Sequence, residues 1–449
     1  MNEELAPAPG PPAPNARAAL PFPAPRWEIF SWCMFDFANS SFTTVVVSVV
    51  FSIYFTKIVC GGGDNANFYW NLGMAISQTV VLLTAPLLGA IADFSGRKKR
   101  FLAVSWIGCC LFTAALWFVE PGAAILGLLI FIPANIAFSV GENLTASFLP
   151  ELAKPESMGK VSGFGWAWGY VGGLACLFLC WTQISKGYKV ENIDGLRETS
   201  LIVAGFFLVA GLPTMLFLRE RARPQPLPPG RGYLSVGFGQ VWRTLRSVRQ
   251  YKVLAFFLIV FFVYNCGIVI VVGNAGIFAE KEMAFSGMEI AFLFILLQVT
   301  SALGAFGFGF VQDRYGARKT IQIALVLWFV VVLGCCLVRE KSHFWVLGNI
   351  AGLAIGSSQS AARALVGVFS PRRWSAEFFG FWGLCGKLSA VIGPFIFGLA
   401  DKLSGSMRTA IGITTAFFVL GIVGMLFINE KAGRQAAFDA EQVPTPGNA

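Results

Sequence analysis

The chain has 449 residues, of which 56% are hydrophobic and only 13% charged, with a mean hydropathy of +0.67. Ordinary soluble domains carry about a quarter charged residues, so a water-soluble globule of this size is excluded, because too much apolar surface would meet solvent. The net charge of +10 belongs to no polar, foldable module with a basic stripe, which argues against nucleic acid and for basic loops beside anionic lipid.

Residues 1–26 form a Pro/Ala-rich tail without an apolar core segment, and read as disordered rather than as a signal peptide. Twelve apolar stretches follow, each near the ~20 residues that cross a bilayer as a helix: 32–58, 68–92, 101–119, 122–142, 160–182, 199–218, 253–277, 288–311, 319–338, 343–367, 376–400 and 407–428. They fall into an N-terminal six-helix bundle (27–218) and a C-terminal one (253–430), with a flexible tail at 431–449. Most of the 34 Lys and Arg lie in the tails and in the loops on one side, which places both termini in the cytoplasm. Between the bundles, 219–252 opens with Arg219, Arg221 and Arg223, passes a proline run, and then repeats Leu234, Phe238, Val241, Leu245 and Val248 at helix spacing. Arg243, Arg246 and Arg249 recur every three residues, so an amphipathic helix is expected on the inner leaflet, basic side out. A plain tether is the simplest role for it.

An internal repeat joins the halves. Gly89, Asp93, Gly96, Arg97 and Lys98 follow span two; Gly309, Asp313, Gly316, Arg318 and Lys319 follow span eight, 220 residues later. Gly96 and Gly316 suit the positive φ of a tight turn, Gly89 and Gly309 admit a close helix, and the aspartates suit a neighbouring helix N-terminus or a basic partner. Such contacts would form and break if the halves rock.

On this repeat the sequence resembles the major facilitator superfamily, whose signature loop follows spans two and eight. The segments Phe35-Asp36-Phe37-Ala38-Asn39-Ser40-Ser41-Phe42, Phe148-Leu149-Pro150-Glu151-Leu152-Ala153, Gly165-Trp166-Ala167-Trp168-Gly169-Tyr170-Val171-Gly172-Gly173 and Ala376-Glu377-Phe378-Phe379-Gly380 resemble the autophagy-linked vacuole effluxer-like family and its bacterial relatives. The resemblance implies an all-α polytopic protein with twelve transmembrane helices in two pseudo-symmetric bundles, working by alternating access. In the fungal branch it implies efflux of neutral or aliphatic amino acids. It also implies that spans one, four, seven and ten line the central cavity.

Polar groups inside apolar spans are costly and mark functional candidates. Asp36, Asn39 and Ser40 share a face of span one, Asn135, Ser139 and Glu142 a stripe of span four, and Gln359 and Arg363 a stripe of span ten; span seven adds Asn265. At ~1.5 Å per residue Asp36, Glu142 and Arg363 are shallow, so an inner gate and a substrate or proton contact stand equally open. Lys387 lies near the midplane with no carboxylate expected at its depth, so it is met either by a substrate carboxylate or by backbone carbonyls, Gln298 and water. Gly165, Gly169 and Gly173 recur every four residues and are expected to pack between the halves.

The leading class is a secondary active transporter of a small polar solute such as an amino acid or organic anion, with proton-coupled efflux as one mode. A transport-inactive receptor or scaffold is the second. A membrane-embedded lipid-modifying enzyme is the third, and it lacks the nucleophile–base pair or metal ligands it would need: the chain has one histidine and no Cys/His cluster. No catalytic residue, metal or cofactor is expected, and no nucleic acid. Short outer loops and the basic inner face point to a bacterial plasma membrane.

Overall fold

In the computed structural model, which describes residues 22–442 apart from 64, 223, 229, 247 and 248, every regular element is helical. Most of the Pro/Ala tail, Arg223, Val248 and residues 443–449 lie outside the described residues. Helices follow from the solvent: lipid offers no partner for a backbone amide, so each segment must satisfy its own. Eleven helical segments are long and apolar enough to cross a membrane: Arg26–Val59, Ala66–Ser95, Lys98–Phe118, Ala124–Leu152, Pro155–Leu179, Val190–Phe217, Lys252–Met283, Gly287–Tyr315, Ala317–Leu337, Arg372–Ser404 and Met407–Leu426. The twelfth, span ten, is the 29-residue helix Lys341–Phe369; Ser357, Ser358, Ser360 and Arg363 dilute its hydropathy and are buried inside the protein.

Several helices outrun the apolar stretches. Span four, expected to end at 142, continues to Leu152, because Asn143, Thr145 and Glu151 are buried against neighbouring helices rather than placed in water. Span one contains two π-helical stretches, Phe42–Val49 and Phe55–Val59. The expected flexible tail after 430 is instead helical over Glu430–Gln442. Asn429 accepts the Ala432 amide at 3.1 Å, as an N-cap does. Gly433, Ala437 and Ala440 are buried, with Gly433 seated on the Phe369 ring. The linker helix runs from Tyr233 to Arg246.

Each half has its own core, around Trp32, Phe42 and Phe131 in the first and Phe257, Trp328 and Phe418 in the second. Two seams join the halves: span two lies along span eleven, and span five along span eight. These pairs exchange under the pseudo-symmetry.

The glycine stripe of span five, expected between the halves, is shared between that seam and span one. Gly169 faces Ser40 of span one, in the same half; Gly165 also meets Arg363 and Gly173, beside Thr44, also meets Gln298, both from the other half. Spacing sets a face but not the neighbour across it. Beside the stripe, a methyl group on Gly172 would overlap the Phe37 carbonyl, and a backbone atom cannot rotate aside. Gly172→Ala is therefore expected to destabilise the N-terminal bundle by about 1–3 kcal/mol, read as a lower thermal midpoint in detergent; an unchanged midpoint would contradict the close approach.

Candidate substrate pathway and inter-bundle latch

The two signature turns build matching contacts at the end of the bundle where the basic loops lie. Span two ends at Gly96, whose φ of 59° is left-handed. Gly89 brings its backbone against Ala376 and Glu377 at the start of span eleven. There the Asp93 carboxylate accepts the Glu377 amide at 2.9 Å. Lys98, wholly buried, lies 3.5 Å from Asp93, pairs with Glu151 and donates to Ser375 Oγ at 2.9 Å. In the second copy, Gly316 has a φ of 91°, Gly309 lies against the Gly159 and Lys160 backbone, and Asp313 accepts the amides of Gly159 at 2.9 Å and Lys160 at 3.3 Å. Each aspartate thus receives the amides at the N-terminus of a helix in the opposite half, where the helix dipole favours a negative charge.

The basic residues of the turns diverge. Lys98 is locked in the seam. Arg318, its counterpart, reaches the Leu426 and Ile428 carbonyls at 3.5 Å. Lys319 is exposed.

Two glutamates absent from the sequence-based candidates complete the pattern. Glu220 accepts the Lys99 amide at 2.8 Å, and Glu430 accepts the Arg318 amide at 2.6 Å; each caps the helix that follows a signature turn. Outside the spans, burial raises the Glu220 carboxyl above its ordinary value. A second repeat carries them: Met215-Leu216-Phe217-Leu218-Arg219-Glu220-Arg221 parallels Met425-Leu426-Phe427-Ile428-Asn429-Glu430-Lys431, 210 residues on.

Deeper in the seam, Arg363 of span ten is 3% exposed. Its Nη1 lies 2.6 Å from Asp36, its Nε donates to Ser162 Oγ at 3.1 Å, and its Nη2 donates to the Ser162 carbonyl at 2.7 Å. The guanidinium lies over the Trp32 and Trp166 rings, 4.8 and 5.4 Å from their centroids. The Ser162 hydroxyl in turn donates to the Ser360 carbonyl at 2.8 Å. One side chain so ties spans one, five and ten.

Lys387 is not without a carboxylate at its depth. Glu142 Oε2 lies 3.7 Å from its Nζ, and both side chains are partly exposed. The longer span four is the reason: with the helix running on to Leu152, Glu142 lies about 15 Å from its end at ~1.5 Å per residue, level with Lys387. The pair faces across the halves, from spans four and eleven.

The remaining candidates disperse. Asn135 donates to Ser77 at 2.7 Å and Asn265 to Ser389 at 2.5 Å, both ties within one half. Asn39 is buried, and its Oδ1 has no hydrogen-bond partner among the described residues. Gln359 sits half-buried one turn before Arg363. Toward the opposite end, Gln298 approaches Thr44 at 3.5 Å; beyond it, no hydrogen bond or ion pair joins the halves among the described residues. Polar bridging is concentrated at the basic end.

Two six-helix bundles with exchanged seams and a doubled aspartate–glycine turn define the major facilitator fold. Solved structures share it. The human organic anion transporter MFSD10 (TETRAN) superposes with a TM-score of 0.70 at 15% identity, over 89% of this chain and 99% of that one. The proton:xylose symporter XylE gives 0.69 at 14% identity, over 92% and 98%. The chain belongs to the vacuole effluxer Atg22-like family, whose model matches residues 65–438. Among its relatives, an uncharacterized MFS-type transporter YxiO of Bacillus subtilis is 24% identical over 92% of this chain and 97% of its own length. Autophagy-related protein 22 of Coccidioides immitis is 23% identical over 86% and 75%.

Proposed function

We propose that the protein is a secondary active transporter that moves a small solute bearing a carboxylate, an amino acid or an organic anion, by alternating access in a bacterial plasma membrane. The basic end faces the cytoplasm and is the closed end of the cleft, so the cleft opens outward. The observation that carries the reading is the Glu142–Lys387 pair, opposite charges 3.7 Å apart on facing halves and both partly exposed. A separation longer than a tight hydrogen bond leaves each charge available to a ligand. An amino acid meets both, its carboxylate at Lys387 and its ammonium at Glu142; an organic anion meets Lys387 alone. Binding between the halves couples occupancy to their rocking. The efflux direction draws its support from the family description. Proton coupling draws its support from the Asp36–Arg363 bond, which a proton on Asp36 would weaken.

The test is binding and uptake with amino acids and organic anions, using purified protein and proteoliposomes. Lys387→Gln is expected to weaken carboxylate-bearing solutes by about 10–100-fold, the worth of a charged hydrogen bond. Glu142→Gln should weaken amino acids and spare organic anions. Unchanged affinities in Lys387→Gln would overturn the assignment.

A further inference from the structure

We propose that the linker helix is a docking surface for anionic phospholipid, and that this docking holds the Asp93–Glu377 contact shut. The inference rests on the alternating-access reading above and assigns a regulator to its latch.

The helix presents three faces. The first is packed on protein: Gly237 lies on Leu87 and Ile91 of span two, and Tyr233 meets Phe94 edge-on. Leu87 and Ile91 flank Gly89, whose backbone meets Ala376 and Glu377 at the start of span eleven. The second carries Leu234, Phe238, Trp242 and Leu245, each half or more exposed; steps of four, four and three residues keep them on one stripe. The third is basic, with Arg243 and Arg246 on the helix and Arg249 just past its end.

Four large apolar side chains on one exposed stripe call for an apolar neighbour. The stripe continues the outer surface of span two, where Leu83, one turn before Leu87, is 70% exposed. A helix at the basic end, apolar toward the acyl chains and basic beside them, has the form of an interfacial helix, and its charge selects anionic headgroups. The helix is therefore anchored on the N-terminal half, on either side of the Gly89 contact with the other half. The Glu377 amide is the one that Asp93 accepts. Seating the stripe in lipid fixes the helix, and with it Leu87 and Ile91, over that seam; freeing it loosens the stretch of span two that holds Gly89 against span eleven.

The measurement is hydrogen exchange of the amides at 375–379 in the full chain, without substrate, in nanodiscs of phosphatidylcholine alone or mixed with phosphatidylglycerol. Phosphatidylglycerol is expected to slow exchange by about fivefold for each arginine engaged. Phe238→Ser/Trp242→Ser should abolish the lipid dependence. Arg246→Gln/Arg249→Gln, at exposed positions of which Arg246 also lies over the Trp242 ring at 4.9 Å, should reduce it to a few-fold or less. Equal exchange in the two bilayers, or full lipid dependence in both variants, would overturn the proposal. Because no substrate is present, a chain that failed every transport assay would still return either result.

Discussion

Lys98→Met is expected to destabilise the protein by roughly 3–5 kcal/mol, the usual consequence of removing one partner from a buried charge group. Lys98 has no solvent access, and the carboxylates it serves, Asp93 and Glu151, are almost as deeply buried. Without the ammonium, two like charges share a dry site. Asp93 keeps the Glu377 amide, whereas Glu151 has the Lys98 ammonium and no other hydrogen-bond or ion-pair partner among the described residues. Glu151 is thus the group left unsatisfied, and Lys98→Met/Glu151→Gln should recover most of the loss. Ser375 also loses its donor from Lys98, so the closed seam weakens along with the fold. Thermal unfolding in detergent, followed by size-exclusion of the heated sample, reads the stability. A Lys98→Met protein within 1 kcal/mol of the parent would show that the site holds water or protons in place of the ion triad.

What could be read from the residues divides along physical lines. Hydropathy reports the thickness of lipid around a helix, and it located the twelve spans because each must hide its backbone in the same slab. It does not report where a helix stops once its polar residues are covered by other helices. Span four hides ten residues in that way, and so Glu142 looked shallow and Lys387 looked unpaired. The same blindness hid the C-terminal helix, whose buried side is only Gly433, Ala437 and Ala440. Internal repetition is more informative than hydropathy, because two copies at equivalent places report shared geometry. The aspartate–glycine turn was visible on that ground. The repeat around Glu220 and Glu430 was equally available, but lies in stretches that look like ordinary span ends. Depth places Asp36 and Arg363 at one level without deciding whether they meet each other; that needs the tilt of three helices, and no sequence pattern carries it.

On the proposed cycle, Asp36→Asn should abolish pH-driven accumulation in proteoliposomes while leaving substrate counterflow, which needs no net proton movement, within a few-fold of the parent. The carboxylate is the group at this gate that can take up a proton; the guanidinium beside it stays charged throughout. Asparagine keeps a bond to Arg363 in the form that the protonated carboxyl would have, so the seam still opens but no longer responds to pH. Arg363→Lys should behave differently. The guanidinium makes three directed contacts, to Asp36, to Ser162 Oγ and to the Ser162 carbonyl, and lies over two indole rings. An ammonium is a point charge on a flexible stem and cannot reproduce that fork. Losing two charged hydrogen bonds at about 1.5–3 kcal/mol each should release the closed basic end by roughly 3 kcal/mol or more, suppressing both accumulation and counterflow. Counterflow lost in Asp36→Asn but kept in Arg363→Lys would reverse the two roles, making Asp36 a substrate contact and Arg363 a bystander.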